Sequence, residues 1–192
     1  MARWDPGAEQ RLRGAALELF GEHGYEAVTV TQIAERAGLT RRSFFRYFPD
    51  KREVLFAHSD RLPPAFAEAV AAVDAAEPPL AAALTAVSSV GERLVDLVSD
   101  AAPRRAVIAA SAELRERERT KLASVAEAIQ QALEARGTEP TAARLTAHLA
   151  TLAFREAFDH WIDANGKEPF PTCLAATVTT LQSCITQPHP TP

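Results

Sequence analysis

The chain has 192 residues and a net charge of −4, with 47% hydrophobic and 24% charged side chains. This composition is typical of a soluble, alanine-rich helical protein and argues against a general polyanion binder. No run approaches the roughly 18 consecutive apolar residues of a membrane span, and the N-terminus lacks the apolar core of a signal peptide. The two cysteines do not form a disulfide framework, so we expect a cytoplasmic protein without a membrane partner.

The first predicted helix runs from about Ala8 to His23, where apolar residues recur at helical spacing, and Gly24 ends it. A second helix follows Thr29, which forms with Gln32 the sequence pattern of a capping box. Gly38 ends the second helix, because the chain needs a residue there that tolerates positive φ.

A third helix follows directly, and Phe44 and Phe48 lie four residues apart on its inward face. Stepping 100° per residue places Arg42 and Arg46 roughly opposite these rings. Residues 36–52 hold six basic residues and one acidic residue, although the chain as a whole is acidic. A solvated helix face usually mixes both signs, so this charge predicts phosphate binding by a helix-turn-helix.

Asp50 and Glu53 form a second predicted capping box, so we expect a fourth helix to begin at Lys51. Pro63 and Pro64 should kink or break that helix, because prolines remove backbone donors. Such a kink would give a lever that bends easily between the DNA-binding unit and the rest of the chain. The alternative is that the prolines only separate two helices.

Five more helices are predicted, over about 80–99, 104–112, 113–136, 141–164 and 172–186. The charged stretch at the start of the helix predicted over 113–136 is typical of a solvated face with i,i+4 pairs. The fold class is therefore all-α with about nine helices. A helix-turn-helix DNA-binding domain would cover residues 1–50, a second helical domain 51–186 and a disordered tail 187–192.

The helix predicted over 141–164 is apolar on two opposite sides. Leu149 and Leu152 lie within about 40° of Leu145, whereas a row of aromatic residues lies on the far side. Such a helix must be buried twice, either within a monomeric core or between its own domain and a partner.

No sequence pattern for catalysis or phosphate binding is present, so we expect no enzyme, no metal and no cofactor. Polar residues do share the helix over 141–164, namely His148, Glu156, Asp159 and His160. Polar groups that line a ligand cavity or bond within a core are commoner than a metal or acid–base site. Cys173 and Cys184 share one helix face, which suits either small core residues or a redox sensor.

The segment Leu19–Leu55 resembles the tetracycline-repressor (TetR) family of bacterial transcription regulators. Its sequence is LFGEHGYEAVTVTQIAERAGLTRRSFFRYFPDKREVL. The resemblance covers about the first third of the chain and rests on a Gly-aromatic pair, Ile-Ala, Ala-Gly and an aromatic run ending Phe-Pro-x-Lys. It implies a homodimeric repressor that binds a palindromic or pseudo-palindromic DNA operator and is released by a small effector.

The third helix would then enter the major groove, where arginine can bind guanine O6 and N7 together. The candidates for base contacts are Arg41, Arg42, Ser43 and Arg46. Family positions that mainly grip phosphate are occupied by Thr29, Thr31, Thr40, Tyr47 and Lys51. Phe45 stands where the family often has tyrosine, so a hydroxyl contact is replaced by an apolar one, for instance with a thymine methyl group.

The resemblance also implies an effector held among helices four to eight and a four-helix bundle formed by the last two helices of each subunit. The apolar lining favours a hydrophobic or amphipathic effector, with candidate residues Val87, His148, Phe154, Phe158 and Trp161. The candidate dimer interface comprises Leu145, Leu149, Leu152, Leu174, Val178, Leu181 and Ile185. Two alternatives stay open: a ligand-binding or enzymatic helical domain whose helix-turn-helix is only structural, and a DNA-binding activator or global regulator.

Overall fold

The computed structural model describes residues 7–98 and 100–186. Over these residues the fold is all-α, as predicted, with nine α-helices, two short 3₁₀ helices and no strand. The α-helices are α1 (Ala8–His23), α2 (Val30–Arg36), α3 (Arg41–Tyr47), α4 (Leu62–Ala71), α5 (Pro79–Val95), α6 (Ala101–Ala110), α7 (Ala112–Ala135), α8 (Pro140–Asp163) and α9 (Phe170–Thr186). None of them is long and apolar enough to cross a membrane. The predicted disordered tail at 187–192 lies outside the described residues.

The described residues divide into two compact units. The first contains residues 7–60 and 100–121, and the second contains residues 61–98 and 122–186. Helix α6 and the beginning of α7 therefore pack with the N-terminal helices, although the predicted domain boundary lies at residue 50. The division into a DNA-binding domain at 1–50 and a second helical domain at 51–186 stays a prediction.

The core of the first unit gathers apolar side chains from α1, α2, α3, α6 and the start of α7. The rings of Phe44 and Phe48 lie 5.4 Å apart between centroids, and both side chains are buried, which confirms the predicted inward face of α3. Ile108 and Leu114 join the same cluster from α6 and α7. Each large apolar side chain buried in this way contributes about 1.5–3 kcal/mol to folding.

The helix ends of the helix-turn-helix follow the sequence signals. The Thr29 hydroxyl accepts the backbone amide of Gln32 at 3.3 Å, and the Gln32 side chain accepts the amide of Thr29 at 2.8 Å. The Thr40 hydroxyl accepts the backbone amide of Ser43 at 3.1 Å. Gly38 has φ 68°, a conformation that side chains with a Cβ rarely adopt. The predicted capping box and glycine turn are thus confirmed.

The predicted fourth helix from Lys51 is wrong. The Asp50 carboxylate accepts the backbone amides of Arg52 and Glu53, at 2.8 and 3.1 Å, as a helix cap would. The turn that it caps is only a 3₁₀ helix over Arg52–Val54, and a second 3₁₀ helix covers Ser59–Arg61. Asp50 therefore caps a turn rather than a long helix. Glu53 does not complete the predicted capping box, because its carboxylate binds Arg117 and Lys121.

The proline pair begins a helix instead of bending one. Helix α4 starts at Leu62, so Pro63 and Pro64 lie in its first turn. The backbone N–H groups of a first turn have no partner within the helix, so proline removes no helical hydrogen bond there. The alternative reading of these prolines, as a boundary between elements, fits the structure, and the bent lever loses its structural basis.

The charged start of α7 is not simply a solvated face. Arg117 Nε lies 2.6 Å and Lys121 Nζ 3.2 Å from the carboxylate oxygens of Glu53 in the first 3₁₀ helix. The Glu53 side chain is only 14% exposed, so these ion pairs are shielded from solvent. On the opposite side of α7, Glu116 and Arg119 form an exposed surface pair at i,i+3 spacing rather than the predicted i,i+4. Arg117 and Lys121, which the sequence placed on a solvated face, therefore hold α7 within the first unit.

The second unit is built around a close approach of α5 and α9. A Cβ atom added to Gly91 on α5 would lie 2.0 Å from the Phe170 ring, so only glycine leaves room for that ring. Phe170 is 1% exposed, and its ring lies 6.1 Å from that of Phe154 on α8. Phe154 in turn lies 5.2 Å from the ring of Phe66 on α4. One glycine thus admits the aromatic cluster that joins four helices.

The turn between α4 and α5 is fastened by one side chain at the end of α7. The Arg136 guanidinium donates to the carbonyl oxygens of Val70, Val73 and Asp74, at 3.2, 2.6 and 2.7 Å. Carbonyl groups at the end of a helix have no partner within it. Arg136 satisfies them and fixes the exit of α4.

Candidate nucleic-acid interface

Helix α3 presents its arginines on the side away from the core. Phe44 is fully buried, whereas Arg41, Arg42 and Arg46 are all exposed. Helix α3 has only seven residues, and the aromatic residues that it buries fix its orientation. The predicted division of α3 into an apolar inner face and a basic outer face is therefore present in the structure.

The other basic residues of the 36–52 segment are engaged within the first unit. Arg36 lies 3.3 Å from Glu18 and 3.1 Å from Glu22, and its hydrogen bond lowers the pKa of Glu22. Arg52 lies 2.8 Å from Asp50. These carboxylates neutralise two of the charges on which the sequence-based argument relied, and they leave the unpaired charge on α3.

Lys51 closes the loop between α1 and α2. Its ammonium group donates to the carbonyl oxygens of Tyr25 and Val28, at 2.8 and 3.0 Å. The same group lies 4.0 Å from the centre of the Tyr25 ring, within the range of a cation–π interaction. Sequence reasoning missed this structural role. A phosphate contact of Lys51 stays a prediction.

Two of the three α3 arginines lie over aromatic rings. The Arg46 guanidinium lies 4.9 Å from the centre of the Tyr47 ring and donates to the Tyr47 hydroxyl at 3.0 Å. The Arg41 guanidinium lies 5.5 Å from the centre of the Phe45 ring, which is 45% exposed. Arg42 has no partner among the residues that the structure describes. Stacking limits the conformations of Arg41 and Arg46, and apart from the one N–H group that Arg46 donates to Tyr47 it leaves their donors available.

The predicted hydroxyl contacts lie around the same helix. Thr29 and Thr40 are exposed and cap α2 and α3, and Thr31 is exposed in the first turn of α2. The Ser43 hydroxyl lies 3.0 Å from that of Thr40 and is half-buried. The structure therefore brings the ten predicted DNA-binding residues onto α2, α3 and the turn that follows. Their roles at DNA stay predictions.

The residues predicted for the effector pocket do not surround one cavity. Phe154, Phe158 and Trp161 form an aromatic row, with centroids 6.0 and 5.5 Å apart. Val87 is fully buried in the core, and His148 is exposed on α8. The effector assignment of these five residues stays a prediction.

A groove of about 650 Å³ lies elsewhere in the second unit, between α4 and α5. Its lining includes the charged residues Glu68, Asp74, Glu77 and Arg93, and none of the predicted pocket residues. Sequence reasoning missed this groove. The only available signal was the short proline-bounded link, which forces α4 and α5 to be neighbours.

Most of the predicted interface residues are at least partly exposed on α8 and α9. Leu145 is 58% and Ile185 72% exposed, and four others are half-buried: Leu149, Leu152, Val178 and Leu181. Leu174 is only 6% exposed, so its side chain is already covered within its own unit. Exposed leucine and isoleucine on two packed helices are suited to a partner, but the interface itself stays a prediction.

The two cysteines lie in different environments. Cys173 is buried, and burial followed by the charge of Glu168 raises the pKa of its thiol. Cys184 is exposed, so it is not the small core residue that the sequence favoured. Both are free thiols, and neither is disulfide-bonded.

Residues 12–58 match the model of a family described as bacterial regulatory proteins, tetR family. The chain is 39% identical over 99 residues to the HTH-type transcriptional regulator TcmR of Streptomyces glaucescens, covering 47% of this chain and 44% of TcmR. It is 36% identical over 50 residues to the HTH-type transcriptional repressor AcnR of Corynebacterium efficiens, covering 26% and 27%. The matches thus span less than half the length of these curated relatives. Both relatives are transcriptional regulators and not enzymes.

Solved structures resemble the chain over nearly its whole length. FadR from Bacillus subtilis, solved in complex with stearoyl-CoA, has a TM-score of 0.59 at 17% identity, covering 94% of this chain and 99% of FadR. NalD from Pseudomonas aeruginosa has a TM-score of 0.60 at 18% identity, covering 92% and 95%. At such identities the likeness concerns the fold, an N-terminal helix-turn-helix followed by a helical remainder.

Proposed function

Because this chain belongs to the TetR family of bacterial regulatory proteins, we propose that it is a homodimeric, sequence-specific DNA-binding repressor that a small effector releases. The observation that carries the proposal is the basic outer face of α3. Arg41, Arg42 and Arg46 are exposed there, while acidic residues neutralise Arg36 and Arg52. Within residues 36–52, the arginines that no carboxylate neutralises therefore lie where a recognition helix would meet DNA.

Each recognition helix would enter the major groove with these arginines toward the base edges. An arginine side chain can donate two hydrogen bonds to guanine, at O6 and N7, and this pairing distinguishes guanine from other bases. The threonines at the starts of α2 and α3 would contact phosphates and fix the register. Two subunits would read half-sites separated by about one turn of DNA, roughly 34 Å, so the operator would be palindromic or pseudo-palindromic.

Repression and effector release are supported by the relatives. AcnR is named a repressor, NalD is described as the secondary repressor of a multidrug efflux pump, and FadR was solved with stearoyl-CoA. A hydrophobic or amphipathic effector in the second unit of this chain is consistent with its aromatic row, Phe154, Phe158 and Trp161. A regulator of chromosomal DNA would act in the cytoplasm.

A salt titration of DNA binding tests the proposal. The operator would first be selected from random duplexes with the full chain, and its affinity then measured by fluorescence anisotropy at increasing salt. We expect log K to fall linearly with log salt, because bound phosphates release counterions. We also expect a preference for the selected duplex over a scrambled one of about 10³-fold or more. A flat salt response and no preference would mean that the helix-turn-helix is only structural.

Repression is tested separately from binding. A promoter that carries the selected operator would be transcribed in vitro with and without the protein. Lower transcript yield supports a repressor, and higher yield supports the alternative of an activator.

A further inference from the structure

The connection between α8 and α9 brings three metal-ligating side chains together. His160 lies in the last turn of α8, Glu168 in the connection and Cys173 near the start of α9. Asn165 and Gly166 both have positive φ, which reverses the chain between the two helices. As a result, one ligand atom from each of the three side chains lies within 4.8 Å of the other two.

These three side chains are available to bind an ion. Within the described residues, none of them forms a hydrogen bond or an ion pair with another side chain. Cys173 is buried, whereas Glu168 is exposed and His160 is accessible to solvent. The Cys173 sulfur is therefore the innermost of the three ligands. A solvated ion can reach it from the side of the cluster where His160 and Glu168 are accessible to solvent.

The donor set selects a chemical class of ion. Imidazole nitrogen and thiolate sulfur are poor ligands for Ca²⁺ and Mg²⁺, which prefer oxygen, whereas Zn²⁺ binds nitrogen, oxygen and sulfur together. Metal–ligand distances of about 2.0–2.3 Å place tetrahedral zinc ligands roughly 3.3–3.8 Å apart. Small rotations of the two accessible side chains, His160 and Glu168, would close the remaining difference.

We propose that His160, Glu168 and Cys173 bind one Zn²⁺ ion, with water in the fourth position. On binding, the thiol releases its proton to solvent and the resulting thiolate forms the metal–sulfur bond. The ion links the end of α8 to the start of α9. Because it binds the folded site, it stabilises this helix pair.

Metal titration of the full chain tests this site without any DNA. The apoprotein would be titrated with Co²⁺ while its absorbance is recorded, and Zn²⁺ affinity would be measured by competition with a fluorescent zinc chelator. We expect one equivalent of Co²⁺ to produce a thiolate-to-cobalt charge-transfer band, which Zn²⁺ then abolishes. Cys173→Ser should remove that band, and Glu168→Gln or His160→Gln should each weaken Zn²⁺ binding by at least about tenfold.

Two matched variants serve as controls. Cys184→Ser removes the other thiol of α9, and Glu156→Gln removes a carboxylate of α8 that lies outside the cluster. Both should bind Co²⁺ and Zn²⁺ like the parent. Absence of the charge-transfer band in the parent, or equal loss in Cys184→Ser and Cys173→Ser, would overturn the proposal. If Cys173→Ser does not fold, the exposed Glu168→Gln decides: parental Zn²⁺ affinity in that variant refutes the site.

Discussion

The ammonium group of Lys51 lies 4.0 Å from the centre of the Tyr25 ring and hydrogen-bonds to the carbonyl oxygen of the same residue, 26 positions earlier in the chain. The Tyr25 hydroxyl in turn donates to Glu113 at the start of α7, at 3.3 Å. Burial, together with that carboxylate, raises the pKa of Tyr25 well above its ordinary value. The hydroxyl therefore stays protonated and keeps donating. Tyr25 thus joins the turn after α3 to the first turn of α7.

We expect Lys51→Met to lower the free energy of unfolding by about 1–3 kcal/mol. Methionine keeps the apolar stem but removes the cation–π interaction and leaves two carbonyl oxygens without a donor. Urea denaturation measures the change. Arg42→Met is the matched control, because Arg42 is exposed and forms no hydrogen bond, ion pair or ring contact with a described residue, and its stability should stay within about 0.5 kcal/mol of the parent. If the two variants are equally stable, Lys51 does not stabilise the fold, and only its predicted phosphate contact remains.

Arg42→Ala and Arg46→Ala should each cost about 1–3 kcal/mol in binding to the selected operator. The physical reason is the loss of hydrogen bonds to base edges, so binding to scrambled DNA should fall much less. Fluorescence anisotropy on both duplexes gives the ratio. Lys167→Ala, a surface charge of the second unit, should leave both affinities unchanged. A proportional loss on both duplexes would show that the arginines grip phosphates and read no bases.

Gly91→Ala should destabilise the protein by about 1–3 kcal/mol, since the new methyl group overlaps the Phe170 ring. Gly21→Ala is the control: a Cβ there meets nothing within 4 Å, and alanine favours the helix by up to about 1 kcal/mol. Thermal or urea unfolding distinguishes them. Adding Phe170→Leu to Gly91→Ala should recover part of the loss, because the smaller side chain relieves the overlap. Strictly additive effects would argue against that overlap.

Leu181→Glu should convert the protein to monomers, because a buried unpaired carboxylate opposes assembly of an apolar interface. Operator affinity should fall with it, since two half-sites need two linked heads. Sedimentation velocity measures the mass, and Thr179→Glu, on the opposite side of α9, should remain dimeric. A dimer that survives Leu181→Glu would place the interface on other helices.

Asp50→Ala should lower stability by about 0.5–2 kcal/mol at neutral pH by removing the cap of the first 3₁₀ helix. Burial opposes ionisation, but hydrogen bonds from Arg52 and from backbone amides outweigh it and lower the pKa of Asp50. A lowered folded-state pKa gives stability that is present above the unfolded pKa of about 3.9 and disappears as pH falls. The difference between variant and parent should therefore shrink below about pH 4. A constant difference would mean that the carboxylate charge is irrelevant.

The sequence predicted the features that depend on neighbouring residues. Thr29 with Gln32, the turn at Gly38 and the pair Phe44–Phe48 all act over a few positions, and the structure has each of them. The sequence left two interpretations of Pro63–Pro64 open, because proline both interrupts helices and begins them. Nothing local distinguishes the two cases when the preceding residues also suit a helix.

Long-range partners could not be predicted in the same way. Arg117 belongs to a dense mixed-charge run, and its pairing with Glu53 spans 64 positions. The closeness of Gly91 and Phe170 arises only when α5 and α9 pack. His160, Glu168 and Cys173 gave no recognisable spacing, because a turn rather than a helix repeat brings them together.

The separation of anchoring and reading residues on α3 bears on how such a regulator can diverge. Phe44 and Phe48 hold the helix in the core, whereas Arg41, Arg42 and Arg46 are exposed on its outer face. Substitutions at exposed positions of this kind usually change stability by no more than about 0.5 kcal/mol. A duplicated copy of the gene can therefore explore new operator sequences one side chain at a time, without first acquiring mutations that restore the fold.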